Sequence, residues 1–239
     1  MSRVFLSAEW RYLATLNYRV APDVLTPLVP KGTELDLWNG NAYVSVVGFL
    51  FVNTRVLGVP VPFHRDFEEI NLRFYVRRDV GSETRRAVAF IRELVPRRAI
   101  AAAARAMYNE PYLARRMRHH VSATPGETTV DYEWHGAAGW GGVHVSATGA
   151  PDPIQPNSEE EFITQHYWGY TRQRDGSTIE YEVRHPRWRV WPARTARLAG
   201  SVAEVYPPAF ASVLGQTPDS AFLADGSAVT VHMPVRLRA

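Results

Sequence analysis

The feature that most constrains the fold is a strict two-residue alternation of apolar and polar side chains over residues 66–78. Apolar residues occupy positions 70, 72, 74 and 76, and polar residues lie between them. Successive side chains of an extended strand point to opposite faces, so this segment is predicted to be a β-strand with one apolar and one polar face. The polar face carries Glu69, Asn71, Arg73, Tyr75 and Arg77.

The rest of the chain also consists mainly of short strand-like segments separated by tight turns. After a turn at 79–82, residues 86–94 are predicted to form the returning strand, with Val88, Phe90 and Arg92 on one face. Turn-forming residues at 124–127, 174–177 and 224–227 each lie between strand-like runs. Short helices are predicted at 22–28 and 97–107, from Ser158 onward, and within 201–214.

Many strands joined by tight turns, with few short helices, predict a mainly antiparallel α+β fold. The expected architecture is a bent β-barrel or sandwich with helices on one side. Apolar residues make up 46% of the chain, which is enough for a large core. No linker or repeat divides the sequence, so a single domain covering residues 1–239 is expected.

Composition and motifs exclude several classes of function. Cysteine is absent, which removes disulfides, thiolate nucleophiles and thiolate metal sites. No two of the eight histidines have the spacing that places both on one face of a strand or helix, so we expect no metal site. A Gly-rich phosphate loop, a G-x-S-x-G elbow and an H-E-x-x-H motif are also missing, and no cofactor is expected.

The charge pattern and the apolar runs indicate which partners and which cellular location to expect. Basic residues are almost all arginine, which reflects either codon bias or recognition of anions by guanidinium groups. Because arginine doublets are scattered among acidic residues, we expect no nucleic-acid partner. The most apolar helical run, 99–104, is too short to span a membrane. Glu9, Trp10 and Arg11 interrupt the region where a signal peptide would be apolar, so a cytoplasmic location is expected.

Lys31 is the only lysine in the chain, and it lies in a predicted loop between a short helix and a strand. A lysine nucleophile needs desolvation or a cationic neighbour, and neither is predicted near residue 31. The activity is therefore not expected to depend on a lysine Schiff base.

The polar face of the 66–78 strand has two interpretations. It either faces solvent, as the outer face of an antiparallel sheet does, or lines the interior of a closed barrel. In the second case Glu69 and Arg73 could hold an anion or shift the pKa of a buried carboxyl group.

The strand sequence from Glu69 to Val76 resembles the E-x-N-x-R-x-Y-V signature of the uncharacterised YqjF-like proteins of the acetoacetate-decarboxylase-like superfamily. Three further motifs follow the same order as in that family, so the resemblance covers most of the chain. They are Leu28-Val29-Pro30-Lys31-Gly32, the run 111–117, and His185-Pro186-Arg187-Trp188. The resemblance implies a barrel-like core, a pocket beside the glutamate strand, and a tendency to form homo-oligomers.

The resemblance also assigns individual positions. Glu69 matches the strand glutamate of the decarboxylases, Arg105 matches an arginine of the following helix, and Pro111 matches a turn proline. The two consecutive lysines of the decarboxylases, of which the first forms the Schiff base, are replaced by Tyr112 and Leu113. An imine cannot form at tyrosine, so the superfamily's decarboxylation mechanism is not expected here.

The first hypothesis is that the protein binds a small polar or anionic organic ligand, such as a carboxylate, in a barrel pocket. Arg73 or Arg105 would pair with the ligand, Tyr112 would donate a hydrogen bond, and Glu69 would orient the ligand or accept a proton. The pocket residues are Glu69, Asn71, Arg73, Arg105 and Tyr112. The second hypothesis is a lysine-independent lyase, isomerase or hydrolase that uses Glu69 as general acid/base. The third is a scaffold with a filled interior.

Overall fold

A computed structural model describes residues 3–62 and 64–237. The predicted domain, 1–239, therefore includes positions outside the described ranges. The strands in chain order are β1 (Val4–Val20), β2 (Glu34–Leu35), β3 (Ala42–Val56), β4 (Val59–Pro60), β5 (Phe67–Val80), β6 (Glu83–Val95), β7 (Tyr112–Ala114), β8 (Met117–Thr124), β9 (Glu127–Gly136), β10 (Gly139–Thr148), β11 (Asp152–Pro153), β12 (Trp168–Arg172), β13 (Thr178–Arg184), β14 (Arg189–Ala199), β15 (Ser220–His232) and β16 (Val235–Arg236). The α-helices are α1 (Pro22–Leu25), α2 (Arg98–Tyr108), α3 (Glu159–Thr164) and α4 (Pro208–Leu214).

The longer strands form a closed ring in the order β13-β12-β6-β5-β3-β1-β15, and a pairing between β13 and β15 completes it. Two junctions of this ring are short. The strands β12 and β6 run parallel and pair only through Trp168 and Gly169, and β13 meets β15 only through Val183 and Arg184. The fold is therefore a ring of strands rather than a regular barrel. The predicted class, mainly antiparallel with a few short helices, is confirmed.

A second layer covers one face of this ring. The sheet continues from β15 through β14 to β10, β9 and β8, and these strands share one apolar core with the ring. Gly48 of β3 marks the closest approach, because a Cβ atom there would lie 2.6 Å from the Tyr132 ring of β9. A side chain at position 48 would force the two layers apart.

As a result, β5 is largely buried on both faces over residues 67–76. Its apolar side, which includes Ile70 and Leu72, packs in the core shared with the second layer. The opposite side, with Glu69 and Asn71, points into the ring and is also buried. The solvent-facing interpretation is wrong for Glu69 and Asn71, which the closed ring encloses, whereas Arg77 farther along the strand is exposed.

The predicted helices form, and two of their ends are capped. Ser158 Oγ accepts a hydrogen bond of 3.1 Å from the backbone N–H of Glu161 at the start of α3. Helix α2 ends at Asn109, which adopts a left-handed conformation with φ 55°. The region predicted at 22–28 splits into α1 and a 3-10 turn, Thr26–Leu28, and the 201–214 region splits into Val202–Glu204 and α4. Within the described ranges, no helix is long and apolar enough to cross a membrane.

One predicted turn is wrong. The turns at 124–127 and 174–177 join β8 to β9 and β12 to β13, but residues 224–227 lie within the continuous strand β15. Gly226 is needed there because its φ is +80° and a Cβ atom would lie 2.0 Å from the carbonyl oxygen of Trp10. The glycine permits a close approach to β1 rather than a reversal of the chain.

The returning strand β6 contains a β-bulge that the sequence pattern did not predict. Arg73 pairs with Phe90, but its neighbour Leu72 pairs with Arg92, which leaves Ile91 without a counterpart. The extra residue reverses the inward and outward positions beyond it. The prediction that Arg92 shares a face with Val88 and Phe90 is therefore wrong.

Candidate ligand-binding site

A cavity of about 440 Å³ lies inside the ring of strands. Every strand of the ring contributes lining residues, and so do helices α2 and α3. Most of the lining is aromatic or aliphatic. The large aromatic residues of the wall include Trp10, Phe49, Phe51, Phe67, Trp168 and Trp188. This volume falls in the range of small-molecule sites, roughly 300–1,000 Å³. The hypothesis of a scaffold with a filled interior is wrong, because the interior is open.

The inward face of β5 supplies the polar part of the lining. Glu69, Asn71 and Arg73 all reach the cavity, because alternate residues of a strand point to the same side. Asn71 Nδ2 donates a hydrogen bond of 3.2 Å to Glu69 Oε1. The next inward residue, Tyr75, is buried and shares a hydrogen bond of 2.6 Å with Ser45. The predicted polar face thus forms one wall of the cavity.

Three buried glutamates contribute carboxyl groups to the same cavity. Glu69 comes from β5, Glu93 from β6, and Glu110 from the segment between α2 and β7. Their exposed fractions are 2%, 1% and 7%. Glu93 faces the cavity because the β-bulge in β6 places it opposite Asn71. The cluster therefore depends on strand register as well as on residue type.

Burial dominates the electrostatics of these carboxyl groups, because a low-dielectric interior disfavours the charged form. It raises the pKa of Glu69 to about 8, against hydrogen bonds from Asn71 and Tyr112 that favour the anion. Burial likewise raises the pKa of Glu110 to about 7 and holds that of Glu93 well above its usual value. The negative charges that Glu110 and Glu69 carry when ionised raise the pKa of Glu93 further.

Tyr112 joins two elements of the site. Strand β7 runs parallel to β6, with Tyr112 beside Glu93. The Tyr112 hydroxyl donates a hydrogen bond of 3.2 Å to Glu69 Oε2 on the next strand. Burial holds the pKa of Tyr112 well above its usual value, so this phenol is a hydrogen-bond donor at neutral pH.

Glu110 is held by hydroxyl groups from the neighbouring strands β12 and β13. Tyr181 of β13 donates a hydrogen bond of 2.5 Å to Glu110 Oε1, and Thr171 of β12 donates one of 3.3 Å to the same oxygen. Gly169 makes the tyrosine position possible, because a Cβ atom at 169 would lie 2.2 Å from Tyr181 Cζ. The tyrosine ring therefore lies directly over the glycine.

A histidine and an aspartate form a second polar group at the cavity wall. His166 Nε2 lies 3.2 Å from Asp36 Oδ2, and Arg86 Nε donates a hydrogen bond of 2.7 Å to the same oxygen. Burial lowers the pKa of His166 to about 4, so the ring is neutral and its Nε2–H donates to Asp36. Its Nδ1 atom is buried without a hydrogen-bond partner. His166 thus presents a free acceptor among residues that line the cavity.

Several buried polar atoms of the cavity lining have no hydrogen-bond partner within the described part of the chain. Such atoms are uncommon in folded proteins because each costs about 1–3 kcal/mol when buried. Those that belong to cavity-lining residues are Trp10 Nε1, Thr54 Oγ1, Asn71 Oδ1, Arg73 Nε, Glu93 Oε2, Tyr108 Oη and His166 Nδ1.

The structure brings Glu69, Asn71, Arg73 and Tyr112 together, as predicted, but it places Arg105 elsewhere. The Arg105 side chain is exposed outside the cavity lining, and its Nε atom donates a hydrogen bond of 2.7 Å to the Tyr112 carbonyl oxygen. Arg105 therefore positions the backbone of Tyr112 instead of reaching the cavity. Arg105 lies outside the cavity in which its ligand-pairing role was predicted.

Lys31 occupies an exposed turn, as predicted from its place between α1 and the next strand. Its backbone carbonyl accepts a hydrogen bond of 2.9 Å from Thr178. Since this is the only lysine of the sequence, no lysine belongs to the cavity lining of the described residues.

Sequence reasoning missed four residues of the site: Glu93, Glu110, Tyr181 and His166. Glu110 precedes Pro111, one of the motif residues, so its place beside Tyr112 was a usable signal. No local signal identifies the others. Glu93 depends on the bulge, Tyr181 on the pairing of β12 with β6, and His166 on its contact with Asp36.

The fold is similar to that of solved acetoacetate-decarboxylase-like proteins. Acetoacetate decarboxylase from Legionella pneumophila matches with a TM-score of 0.67 and 11% identity, covering 98% of this chain and 87% of the other. The enduracididine biosynthesis enzyme MppR, solved with pyruvate, matches with a TM-score of 0.66 and 13% identity, covering 100% and 92%. An acetoacetate decarboxylase-like enzyme from Sphingomonas wittichii RW1 matches with a TM-score of 0.64 and 12% identity, covering 98% of this chain and 93% of the other.

The chain belongs to the DUF2071 family of uncharacterized conserved proteins, which it matches over residues 7–228. It is also similar to the uncharacterized protein YqjF of Bacillus subtilis (strain 168), with 24% identity over 198 residues, or 82% of this chain and 79% of that protein. The resemblance to YqjF-like proteins inferred from the strand signature is confirmed. At identities this low, the solved structures establish the fold alone.

Proposed function

We propose that this protein binds a small organic ligand inside the ring, with a polar group at the β5 wall and an apolar part against the aromatic walls. The observation that carries this proposal is the set of unpartnered polar atoms around the cavity. Asn71 Oδ1, Arg73 Nε and Glu93 Oε2 are each buried without a partner in the described structure. A ligand that bonded with them would offset the cost of their burial.

Arg73 is the candidate for an anionic or strongly polar group of the ligand. Its Nη2 atom makes one hydrogen bond of 3.4 Å, to the carbonyl oxygen of Ile163, and its Nε atom is free. Guanidinium groups bind carboxylates through two parallel hydrogen bonds, so a free Nε favours a carboxylate here. The related enzyme MppR has been solved with pyruvate, a small carboxylate, which agrees with this choice of chemistry.

A thermal-shift screen of small organic compounds tests the binding function. Compounds that raise the melting temperature of the wild type are expected to have no effect on Glu69→Gln or Arg73→Ala. The control is Arg77→Ala, on the same strand, where the side chain is exposed and paired with Glu34. This variant is expected to respond as the wild type does. Equal responses from both site variants and the wild type would overturn the site assignment.

A second candidate is a lysine-independent enzyme, a lyase, isomerase or hydrolase, in which Glu69 acts as general acid/base. The observation that favours it is the pKa of Glu69, raised by burial to about 8, beside Glu110 with a pKa of about 7. Carboxyl groups that titrate near neutral pH transfer protons most effectively under cellular conditions. Turnover of a bound compound, with a pH–rate profile that changes in Glu69→Gln, would favour this candidate over binding alone.

A further inference from the structure

The carboxyl groups of Glu69, Glu93 and Glu110 occupy one cavity but have few positive partners. Arg73 favours the charged form of Glu69. Among the described residues, no cationic side chain has a comparable effect on Glu93 or Glu110. Three carboxyl groups arranged in this way disfavour one another's ionisation, so a positive charge placed among them would be strongly stabilised.

Free hydrogen-bond acceptors in the same lining point to a ligand that donates. Asn71 Oδ1 is an amide oxygen, which only accepts hydrogen bonds, and Glu93 Oε2 accepts them whenever the Glu93 carboxyl group is ionised; neither atom has a partner in the described structure. Both residues are at least nine-tenths buried and line the cavity. The Tyr108 hydroxyl, also buried and unpartnered, accepts as well. A ligand group with several N–H donors would satisfy all three.

Aromatic rings line the cavity beside Glu110, to which the Tyr181 hydroxyl donates a hydrogen bond. Tyr108 packs edge-to-face against Tyr181 with a centroid separation of 5.5 Å, and Phe5 lies 5.4 Å from Tyr108. These rings line the cavity together with the glutamates. The faces of aromatic rings attract cations, so the apolar wall would stabilise an ammonium group as well as an alkyl chain.

We propose that Glu69, Glu93 and Glu110 form a subsite for a protonated amine, so that the ligand of this cavity is a small organic amine. This inference rests on the proposed binding function and specifies its ligand class. The amine nitrogen donates to Glu93 Oε2 and to the Asn71 amide oxygen, and its charge is balanced by the carboxyl cluster. Arg73 lies four positions along β5 from Glu69, roughly 13 Å apart at the rise of a strand, so a carboxylate on the same ligand could reach it.

The test compares hexylamine with 1-hexanol, which has the same chain length and no charge, by isothermal titration calorimetry at pH 7. Hexylamine is expected to bind the wild type at least about tenfold more tightly than 1-hexanol, because charge-assisted hydrogen bonds are the stronger ones. Glu93→Gln is expected to remove this preference while leaving 1-hexanol binding unchanged. Glu83→Gln, at the exposed end of the same strand, is expected to keep the preference.

The number of protons released on binding gives an independent readout. A bound cation favours ionised carboxyl groups, so hexylamine is expected to displace protons from Glu69, Glu93 and Glu110, whereas the tyrosines that face them keep theirs. Titrations in phosphate and in MOPS, which differ in ionisation enthalpy and contain no primary amine, measure this release. If Glu93→Gln fails to fold, Glu110→Gln serves as the second variant, with the same expected loss.

The possible outcomes separate the two proposals. If 1-hexanol binds as tightly as hexylamine, or if hexylamine binds without proton release and independently of Glu93, the amine inference is overturned and the binding function stands. If neither compound binds, the amine inference is overturned. The proposed binding function is then decided by the thermal-shift screen alone.

Discussion

The Tyr112 hydroxyl donates a hydrogen bond of 3.2 Å to Glu69 Oε2, across the strand that separates β7 from β5. This bond favours the ionised form of Glu69, whereas burial favours the neutral form and raises its pKa to about 8. The protonation state of Glu69 near neutral pH therefore results from two opposing effects in the same cavity. One substitution can remove the hydrogen bond, and another can remove the carboxyl group itself.

Tyr112→Phe is expected to raise the pKa of Glu69 above that of the wild type, because the variant loses a donor to the carboxylate and keeps the buried ring. The measurement is a pH titration of the side-chain carboxyl carbons by NMR in glutamate-labelled protein, with Glu69→Gln used to assign the resonance. An unchanged or lower midpoint for Glu69 in Tyr112→Phe would show that the hydrogen bond does not stabilise the carboxylate.

Glu69→Gln is expected to flatten the pH dependence of stability on the alkaline side. The pKa of Glu69 is raised in the folded state, from 4.5 to about 8, so the unfolded chain loses this proton at a lower pH than the folded protein does. The contribution of Glu69 to stability is complete below about pH 4.5 and is lost as the pH rises toward 8.

The measurement is the free energy of unfolding by urea between pH 5 and pH 9, roughly the window set by these two values. The difference between Glu69→Gln and the wild type isolates Glu69 from the other carboxyl groups. This difference is expected to shift in favour of the variant as the pH rises. Glu83→Gln, which changes an exposed glutamate, is the control for the same substitution outside the cavity. A flat difference for Glu69→Gln would contradict the raised pKa.

Gly169→Ala is expected to displace the Tyr181 ring and break its hydrogen bond to Glu110. The new Cβ atom would lie 2.2 Å from Tyr181 Cζ, so the ring must move toward the cavity. The cost is expected to be about 1–3 kcal/mol in the free energy of unfolding, and the pKa of Glu110 is expected to rise above about 7.

Tyr181→Phe is the matched control, because it removes the same hydrogen bond without changing the space available to the ring. It is expected to raise the pKa of Glu110 and to leave the cavity open. Chemical denaturation and carboxyl NMR titration measure both effects. A Gly169→Ala protein with wild-type stability and an unchanged Glu110 pKa would show that the close contact is relieved elsewhere.

Asp36→Asn is expected to reduce the free energy of unfolding by about 2 kcal/mol, because it weakens charge-assisted hydrogen bonds to Arg86 and His166 in a buried position. Burial opposes ionisation of Asp36, but these two bonds outweigh it and lower its pKa. Glu34→Gln, which removes the exposed ion pair with Arg77, is the comparison and is expected to cost less than about 1 kcal/mol. Equal losses of free energy from both variants would contradict a larger contribution of the buried Asp36 hydrogen bonds to stability.

The alternation on β5 was sufficient to predict the strand and three of its inward residues, Glu69, Asn71 and Arg73. Tyr112 was predicted from its place in a family motif, and the structure brings it to Glu69. Arg105 was predicted by the same resemblance but lies outside the cavity lining. A motif gives the order of residues along a chain, whereas the direction of a side chain depends on the packing of its helix.

The sequence by itself determined the antiparallel character of the fold, the polar face of β5 and the absence of a lysine in the site. Each of these follows from local periodicity or from residue count. Only the tertiary structure decided that this polar face is interior, because ring closure depends on the pairings of β12 with β6 and β13 with β15. The bulge at Ile91 likewise decided that Glu93 and not Arg92 faces the cavity. A shift of one residue exchanges the two faces of a strand, and strand register is settled by contacts between distant segments.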